Sequence, residues 1–210
     1  MTKRLVLLLL ALLPLAASAV PPPTPVAGTD YVVIQDGAPY LPLDGKIEVV
    51  EVFAYWCHFC ADFQPKIDAW KRTLPTNVRF TPVPLPYDRN DALARAFFAA
   101  QAAGVLATTH DAMFDAIHVE QSLPKNATID EIAAFYARQG LDAARMKAAM
   151  EDESMGARLV AARQFAIRSG LEGTPTLVIN GRYRVLGHTL DESLRIASQL
   201  LASMPRDSSR

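Results

Sequence analysis

The 210-residue chain reads as an α/β domain interrupted by an all-helical insertion. Three observations predict this. A β-branched and aromatic run at residues 46–55 passes directly into apolar residues at helical spacing. Residues 88–161 then carry only helical periodicities separated by short polar breaks. Strand patterns return after Gly173 and are closed by one more amphipathic helix. Strands and helices at both ends, with helices alone between them, describe a sheet-and-helix domain into which a helical subdomain is inserted.

At the N-terminus, Lys3 and Arg4 precede an apolar run at residues 5–15, broken only by Pro14, and Ala17-Ser18-Ala19 has the small–x–small form of a signal-peptidase site. A membrane span needs roughly 20 apolar residues, about twice this run. Residues 1–19 are therefore expected to be a cleaved signal peptide. No cysteine follows the cleavage site, so no lipid anchor is expected. No later stretch is long and apolar enough to span a bilayer, so a soluble exported product is expected. Cleavage removes two basic residues and no acid, so 21 basic residues against 22 acidic ones become 19 against 22. That acidic balance argues against nucleic-acid binding, which rests on many Lys/Arg–phosphate contacts.

The elements follow in order. Residues 20–29, with Pro21, Pro22, Pro23 and Pro25, are expected to be an extended leader. Short apolar stretches at 31–34 and 40–43 flank the turn signal Asp36-Gly37. Residues 46–55, bounded by Asp44-Gly45, predict a buried strand. Alternation puts Ile47, Val49, Glu51, Phe53 and Tyr55 on one face, where Glu51 is the odd member. A helix is predicted from near Cys57 to about Arg72 through Phe59, Phe63, Ile67 and Trp70, with a kink at Pro65. Residues 77–85 predict a strand whose ladder bonds Pro82 and Pro84 limit, favouring an edge or a short strand. Within the insertion, Leu93, Phe97 and Ala100 mark one apolar stripe, and Met113 and Ile117 another. Thr128 and Glu131 form a capping box before Ile129, Ile132 and Tyr136, and Gly140 ends that helix. A further helix spans about 154–169. Strands at 176–179 and 183–186 flank the hairpin signal Asn180-Gly181. The last helix carries Leu190, Leu194, Ala197 and Leu201. The α/β domain is thus expected to be discontinuous, at 30–87 and 162–205, with the insertion at 88–161 and a frayed tail at 206–210.

The only two cysteines lie in Cys57-His58-Phe59-Cys60. A structural disulfide gains most from closing a long loop, and two thiols separated by two residues gain little that way. In an oxidising compartment such a pair reads as a redox site. At a helix N-terminus the partial positive charge and free N–H groups favour a thiolate, the nucleophile and good leaving group of disulfide exchange. Cys57 is expected to form the mixed disulfide, and Cys60, one turn deeper, to resolve it. His58 either adds positive charge beside Cys57 or is a solvated surface side chain; the first is preferred for its proximity. Glu51 either reaches water near the strand edge or is buried with a raised pKa, as a proton acceptor near the thiols; burial is preferred. Thr174-Pro175 precedes a strand, and an X–Pro bond is trans by default, with only about 5–6% cis.

Taken together, Glu51-Val52-Phe53-Ala54-Tyr55-Trp56, the Cys57–Cys60 pair, the helical insert, and Gly173-Thr174-Pro175-Thr176 followed by Val178-Ile179-Asn180-Gly181 resemble the DsbA family of the thioredoxin superfamily in order and spacing. The resemblance spans residues 28–204. It implies a thioredoxin-like fold with an inserted all-helical subdomain, a periplasmic location, and a dithiol oxidase that needs no cofactor beyond the Cys57–Cys60 disulfide. It implies that Pro175 is a cis-proline facing the active site, that Thr174, Pro175 and Phe59 contact substrate, and that Glu51 is the family's buried acid. The implied partners are reduced exported polypeptides and a DsbB-type membrane quinone reductase that reoxidises the pair. The sequence departs from the best-known members in having His58-Phe59 where they have Pro-His. It also has Thr81-Pro82-Val83 where a lysine often accompanies the acid.

Other readings are a disulfide isomerase or reductant on the same scaffold, a metal-binding module, and a peptide-binding holdase without redox role. Dimeric isomerases carry a sizeable N-terminal domain, whereas only residues 20–45 precede the first strong strand here; a monomer is expected. Structural zinc usually takes four Cys/His ligands, and His110, His118 and His188 are scattered. Ala61 after Cys60 breaks the haem-attachment pattern.

Overall fold

The computed structural model describes residues 24–204. The expected signal peptide, the first residues of the Pro-rich leader and the expected tail lie outside the described residues. Twelve elements follow one another in the described part: β1 (Tyr31–Val33), β2 (Ile47–Phe53), α1 (His58–Lys71), β3 (Val78–Pro84), α2 (Ala92–Ala102), α3 (Leu106–His118), α4 (Ile129–Arg138), α5 (Ala143–Glu151), α6 (Ser154–Arg168), β4 (Thr176–Ile179), β5 (Tyr183–Val185) and α7 (Leu190–Ser203). The strands make one mixed sheet in the order β1-β5-β4-β2-β3. β2 pairs in parallel with β3, while the β2–β4, β4–β5 and β1–β5 pairs are antiparallel.

β2 is buried on both faces because side chains of a strand alternate. Val49 joins Leu177 and Ile179 of β4 under Phe63, Ile67 and Trp70 of α1 and Ile196, Ala197 and Leu200 of α7. Val50, Val52 and Val178 face the second core, which runs on into the insertion. α1 and α7 are further joined by the Trp70 Nε1–H bond to Ser198 Oγ at 2.8 Å. β3 is at the sheet edge, as Pro82 and Pro84 require of a strand short of N–H donors. Pro82 sits directly opposite Glu51 in the ladder.

α2 is the axis of the insertion. Leu93, Ala94, Ala96, Phe97, Phe98, Ala99 and Ala100 are all buried, and α3, α4, α5 and α6 all pack against it. The Thr128–Glu131 capping box opens α4, and the Tyr136 hydroxyl donates to the Ala96 carbonyl at 2.9 Å. α6 is continuous from Ser154 to Arg168, so the division expected between residues 161 and 162 cuts a helix. Its apolar face covers both parts, and no polar break marks the junction. Residues 26–30 also differ from an extended leader. The amides of Thr29 and Asp30 bond to the Val26 carbonyl and fold the segment into a turn. The Asp30 carboxylate, accepting from the Val26 N–H at 2.7 Å, closes it.

The β4–β5 hairpin turns through Asn180 and Gly181, both at positive φ. A Cβ on Gly181 would lie 1.9 Å from the Ala38 carbonyl oxygen, so only glycine fits there. The same tip is tied to β2, because the Asn180 N–H bonds to the Glu48 carbonyl and the Glu48 N–H to Asn180 Oδ1, each at 2.8 Å.

The side chain of Glu48 is completely buried and organises the loop before β2. It accepts from the Tyr40 N–H at 2.7 Å, the Leu41 N–H at 3.2 Å, Arg79 at 3.0 Å and the Thr81 hydroxyl at 3.3 Å. Removing a buried acceptor strands its donors. Glu48→Ala is expected to lower stability by about 2–4 kcal/mol, measured by urea unfolding. A loss below about 0.5 kcal/mol, the size of an ordinary surface change, would contradict this account.

Candidate active site

The last residues of β2 lead into α1 through one tight turn, closed by the Cys57 N–H bond to the Ala54 carbonyl at 3.0 Å. Cys57 is the N-cap of α1 and carries no side-chain cap. Its sulfur therefore sits among backbone N–H groups that no helical carbonyl satisfies. Cys60, the third residue of the helix, is fully buried, whereas Cys57 keeps a small exposed surface. Both cysteines are free thiols.

The electrostatics separate the two sulfurs. The Cys57 thiol is pulled down to about 5, chiefly because the Cys60 S–H donates to it. Burial, the next largest effect, opposes this, while the Thr174 side chain and the backbone N–H groups of Cys60 and Phe59 add to the lowering. Cys60 moves the other way. Burial pushes its thiol far above the ordinary range, helped by its hydrogen bond to Cys57 and by the charges of Cys57 and Glu51. Near neutral pH the site thus holds one proton and one negative charge between two sulfurs, with the charge on the outer one.

Glu51 is fully buried in the middle of β2. Desolvation raises its pKa to about 8, against the pull of Lys71, while Asp68 acts in the same direction as burial. Its ladder partner Pro82 supplies no cation. Thr174 and Pro175 come from the loop before β4. Their peptide bond is cis, unlike the trans form that the dipeptide alone favours. The loop lies against the nucleophile: a protonated Cys57 donates to the Thr174 carbonyl at 3.3 Å. Phe59 is exposed at the mouth of the helix. His58 does not join the group around the sulfur. Its Nε2 lies 3.3 Å from Asp62 Oδ2 one turn along α1, and its ring lies 6.0 Å from that of His118. The causes that lower Cys57 are hydrogen bonds made by Cys60, Thr174 and Phe59, and His58 is not among them. The structure therefore brings together Cys57, Cys60, Thr174 and Pro175, with Glu51 buried near enough for its charge to act on Cys60, and leaves His58 beside Asp62.

This geometry has known counterparts. Residues 48–196 match the DSBA-like thioredoxin domain. The chain belongs to that family. The thiol:disulfide interchange protein DsbA of Pseudomonas aeruginosa is 33% identical over 179 residues, covering 83% of each chain. That of Azotobacter vinelandii is 36% identical, covering 75% of this chain and 72% of its own. The crystal structure of the oxidoreductase DsbA from Xylella fastidiosa superposes with a TM-score of 0.82 at 45% identity, over 85% of this chain and 97% of that one. The thioredoxin-like fold with an inserted helical subdomain expected from the sequence is thus the fold of the family.

Two outcomes follow from the charges. Absorbance of the reduced protein at 240 nm is expected to titrate with one midpoint at about 5, from Cys57, with Cys60 silent up to alkaline pH. A midpoint near 8.5, that of free cysteine, would refute the arrangement. Glu51 gives the opposite stability trend. In the unfolded chain it ionises near 4.5, whereas the fold retains its proton up to about 8. Its contribution is therefore most favourable below 4.5, declines as pH rises to about 8, and is constant above. Each pH unit between those two ionisations is worth roughly 1.4 kcal/mol. Glu51→Leu is therefore expected to gain several kcal/mol over reduced wild type at pH 8, and much less at pH 5. Urea midpoints of the two reduced proteins at both pH values check this; an equal difference at both would count against it.

Proposed function

We propose that this protein is a periplasmic dithiol oxidase that passes the Cys57–Cys60 disulfide to newly exported polypeptides. The observation that carries the direction of transfer is the low pKa of Cys57. A stabilised thiolate lowers the energy of the reduced enzyme. Its disulfide is therefore the less stable redox state and a strong electron acceptor. Membership in a family whose relatives are named thiol:disulfide interchange proteins supports the same reading.

In the forward reaction a substrate thiolate attacks the Cys57 sulfur of the disulfide. The Cys57–Cys60 bond breaks, a mixed disulfide forms at Cys57, and Cys60 leaves with the electron pair. Buried Cys60 cannot remain charged, so it takes up a proton. Glu51, with a pKa near 8, is the protonated group poised to provide it. A second substrate thiolate then attacks its partner sulfur in the mixed disulfide, and Cys57 departs as the stable thiolate. The substrate has lost two electrons and the enzyme has gained them. Reoxidation is assigned to a membrane quinone reductase of the DsbB type, which draws the electrons off by the same exchange in reverse, and Glu51 then recovers its proton.

Substrate chains are expected to lie in extended form along the loop at Thr174 and Pro175, pairing their backbone with it like an added strand. Phe59 offers an exposed apolar surface on one side. On the other a groove of about 660 Å³ opens between Thr174, Trp56, Tyr87 and Ile167, of which Tyr87 and Ile167 are largely exposed. An unfolded polypeptide has the apolar side chains to fill it.

Equilibration with glutathione buffers tests the direction of transfer. The expected potential is far more oxidising than the roughly −270 mV of thioredoxin, and a value near that figure would identify a reductant instead. Cys60→Ser, whose Cys57 thiolate has no resolving partner, is expected to accumulate mixed disulfides when mixed with a disulfide-bearing substrate, the other substrate sulfur leaving as a thiol, and Cys57→Ser to abolish exchange. Full activity in Cys57→Ser would favour a holdase without redox role.

A further inference from the structure

Three side chains on one face of α3 hold the turn that carries the nucleophile. That turn runs from Ala54 to Cys57, with Tyr55 and Trp56 at its corner. Tyr55 is buried, so its carbonyl needs a donor. The donor is His118, whose Nε2 lies 2.7 Å from the Tyr55 carbonyl oxygen. At the other end of the same residue, the Tyr55 hydroxyl is 2.7 Å from Nδ1 of His110. His110 and His118 are eight residues apart on α3, hence on one face of the helix. Phe114 stands midway between them, with its ring edge-on to that of Tyr55 at 5.0 Å between centroids. One stripe of α3 thus grips the hydroxyl, the ring and the carbonyl of a single residue two positions before Cys57.

We propose that His118 and His110 are positioning residues for Cys57. Their grip on Tyr55 fixes the 54–57 turn and, through it, the place of the Cys57 sulfur relative to the Cys60 thiol and the N–H groups of Phe59 and Cys60. Those contacts hold the thiolate, and hydrogen bonds weaken steeply as their geometry opens. A turn released from α3 therefore loosens all of them together. The inference rests on the exchange reading of Cys57 but goes beyond it, because neither histidine takes part in the chemistry.

The carbonyl bond requires a proton on Nε2 of His118, which both the neutral and the charged ring can carry. On its far side His118 faces His58 across a groove also lined by Asp62 and Asp115. His110 is buried and held neutral, its pKa lowered to about 4, first by desolvation, then by Lys71, with Asp68 opposing.

The test compares reduced wild type, His118→Ala, His118→Gln and Tyr55→Phe by the 240 nm titration of Cys57, with thermal melts alongside. His118→Ala is expected to raise the Cys57 midpoint by about one pH unit, a tenfold loss in the thiolate equilibrium, and its glutathione equilibrium is expected to shift toward the disulfide by the same factor. His118→Gln, whose amide N–H reaches the same carbonyl, is expected to restore most of that shift. Tyr55→Phe, which loses only the hydroxyl bond, is expected to shift the midpoint less and in the same direction. A folded His118→Ala with an unmoved midpoint and a lowered melting temperature would reduce His118 to a structural role and overturn the proposal. Should His118→Ala fail to fold, an unmoved midpoint in Tyr55→Phe, with the wild-type His118 ring shown by nitrogen NMR to carry no proton on Nε2, overturns it equally. A wild-type midpoint near that of free cysteine would instead sink the exchange reading itself, so the two failures are distinguishable.

Discussion

The Cys57 sulfur is held as an anion by hydrogen bonds converging from one helical turn, and most of the surrounding architecture serves to deliver those donors. The thiol of Cys60 reaches it only because three residues of helix bring the second sulfur back beneath the first. The N–H groups of Phe59 and Cys60 are free because they open the helix. α1 in turn is fixed by Phe63, Ile67 and Trp70, which lock it to the sheet and to α7. A charge that costs much to bury in apolar protein is stable here because the Cys60 thiol and the N–H groups of Phe59 and Cys60 donate to it.

The same apolar surroundings act in opposite senses on three ionisable groups a few residues apart. Cys57 is drawn down by donors, whereas Cys60 and Glu51 are pushed up by desolvation. Glu48 and Glu51 make the contrast within a single strand. Glu48 is as deeply buried as Glu51, yet it is surrounded by donors from Tyr40, Leu41, Arg79 and Thr81 and serves as a structural anchor. Glu51 faces the other side of the sheet, toward the thiols, where burial dominates and leaves a carboxyl that exchanges its proton near neutral pH. The fold thus keeps one unfavourably buried carboxyl on the face of β2 opposite to Glu48.

The helical insertion is more than a decoration on the α/β domain. α3 reaches the base of the active-site turn through Tyr55, and α6 runs without a break from the insertion toward the loop of Thr174. Both walls of the catalytic centre are therefore set in part by elements outside the sheet domain. The groove beside Thr174 shows the same division, with Tyr87 before the insertion and Arg163 and Ile167 on α6.

Sequence by itself determined the elements whose signals are local. The strand at 46–55, the helix opening at Cys57, the edge strand with Pro82 and Pro84, the capping box at Thr128 and the hairpin at Asn180-Gly181 each announce themselves through periodicity or through residues with one favoured backbone geometry. The cysteine pair was legible for the same reason, since two cysteines three positions apart at a helix start have few other uses than redox exchange. Tertiary structure decided what depends on contacts distant along the chain. It placed Glu51 opposite a proline, turned His58 toward Asp62, selected the cis form at Thr174–Pro175, and made α6 continuous across an expected boundary. His110 and His118 were legible in the sequence only as scattered histidines, not as one face of α3. That the face closes on Tyr55 was not legible either, because the strength of a hydrogen bond is set by angstrom-scale geometry between segments 55 and 63 residues apart.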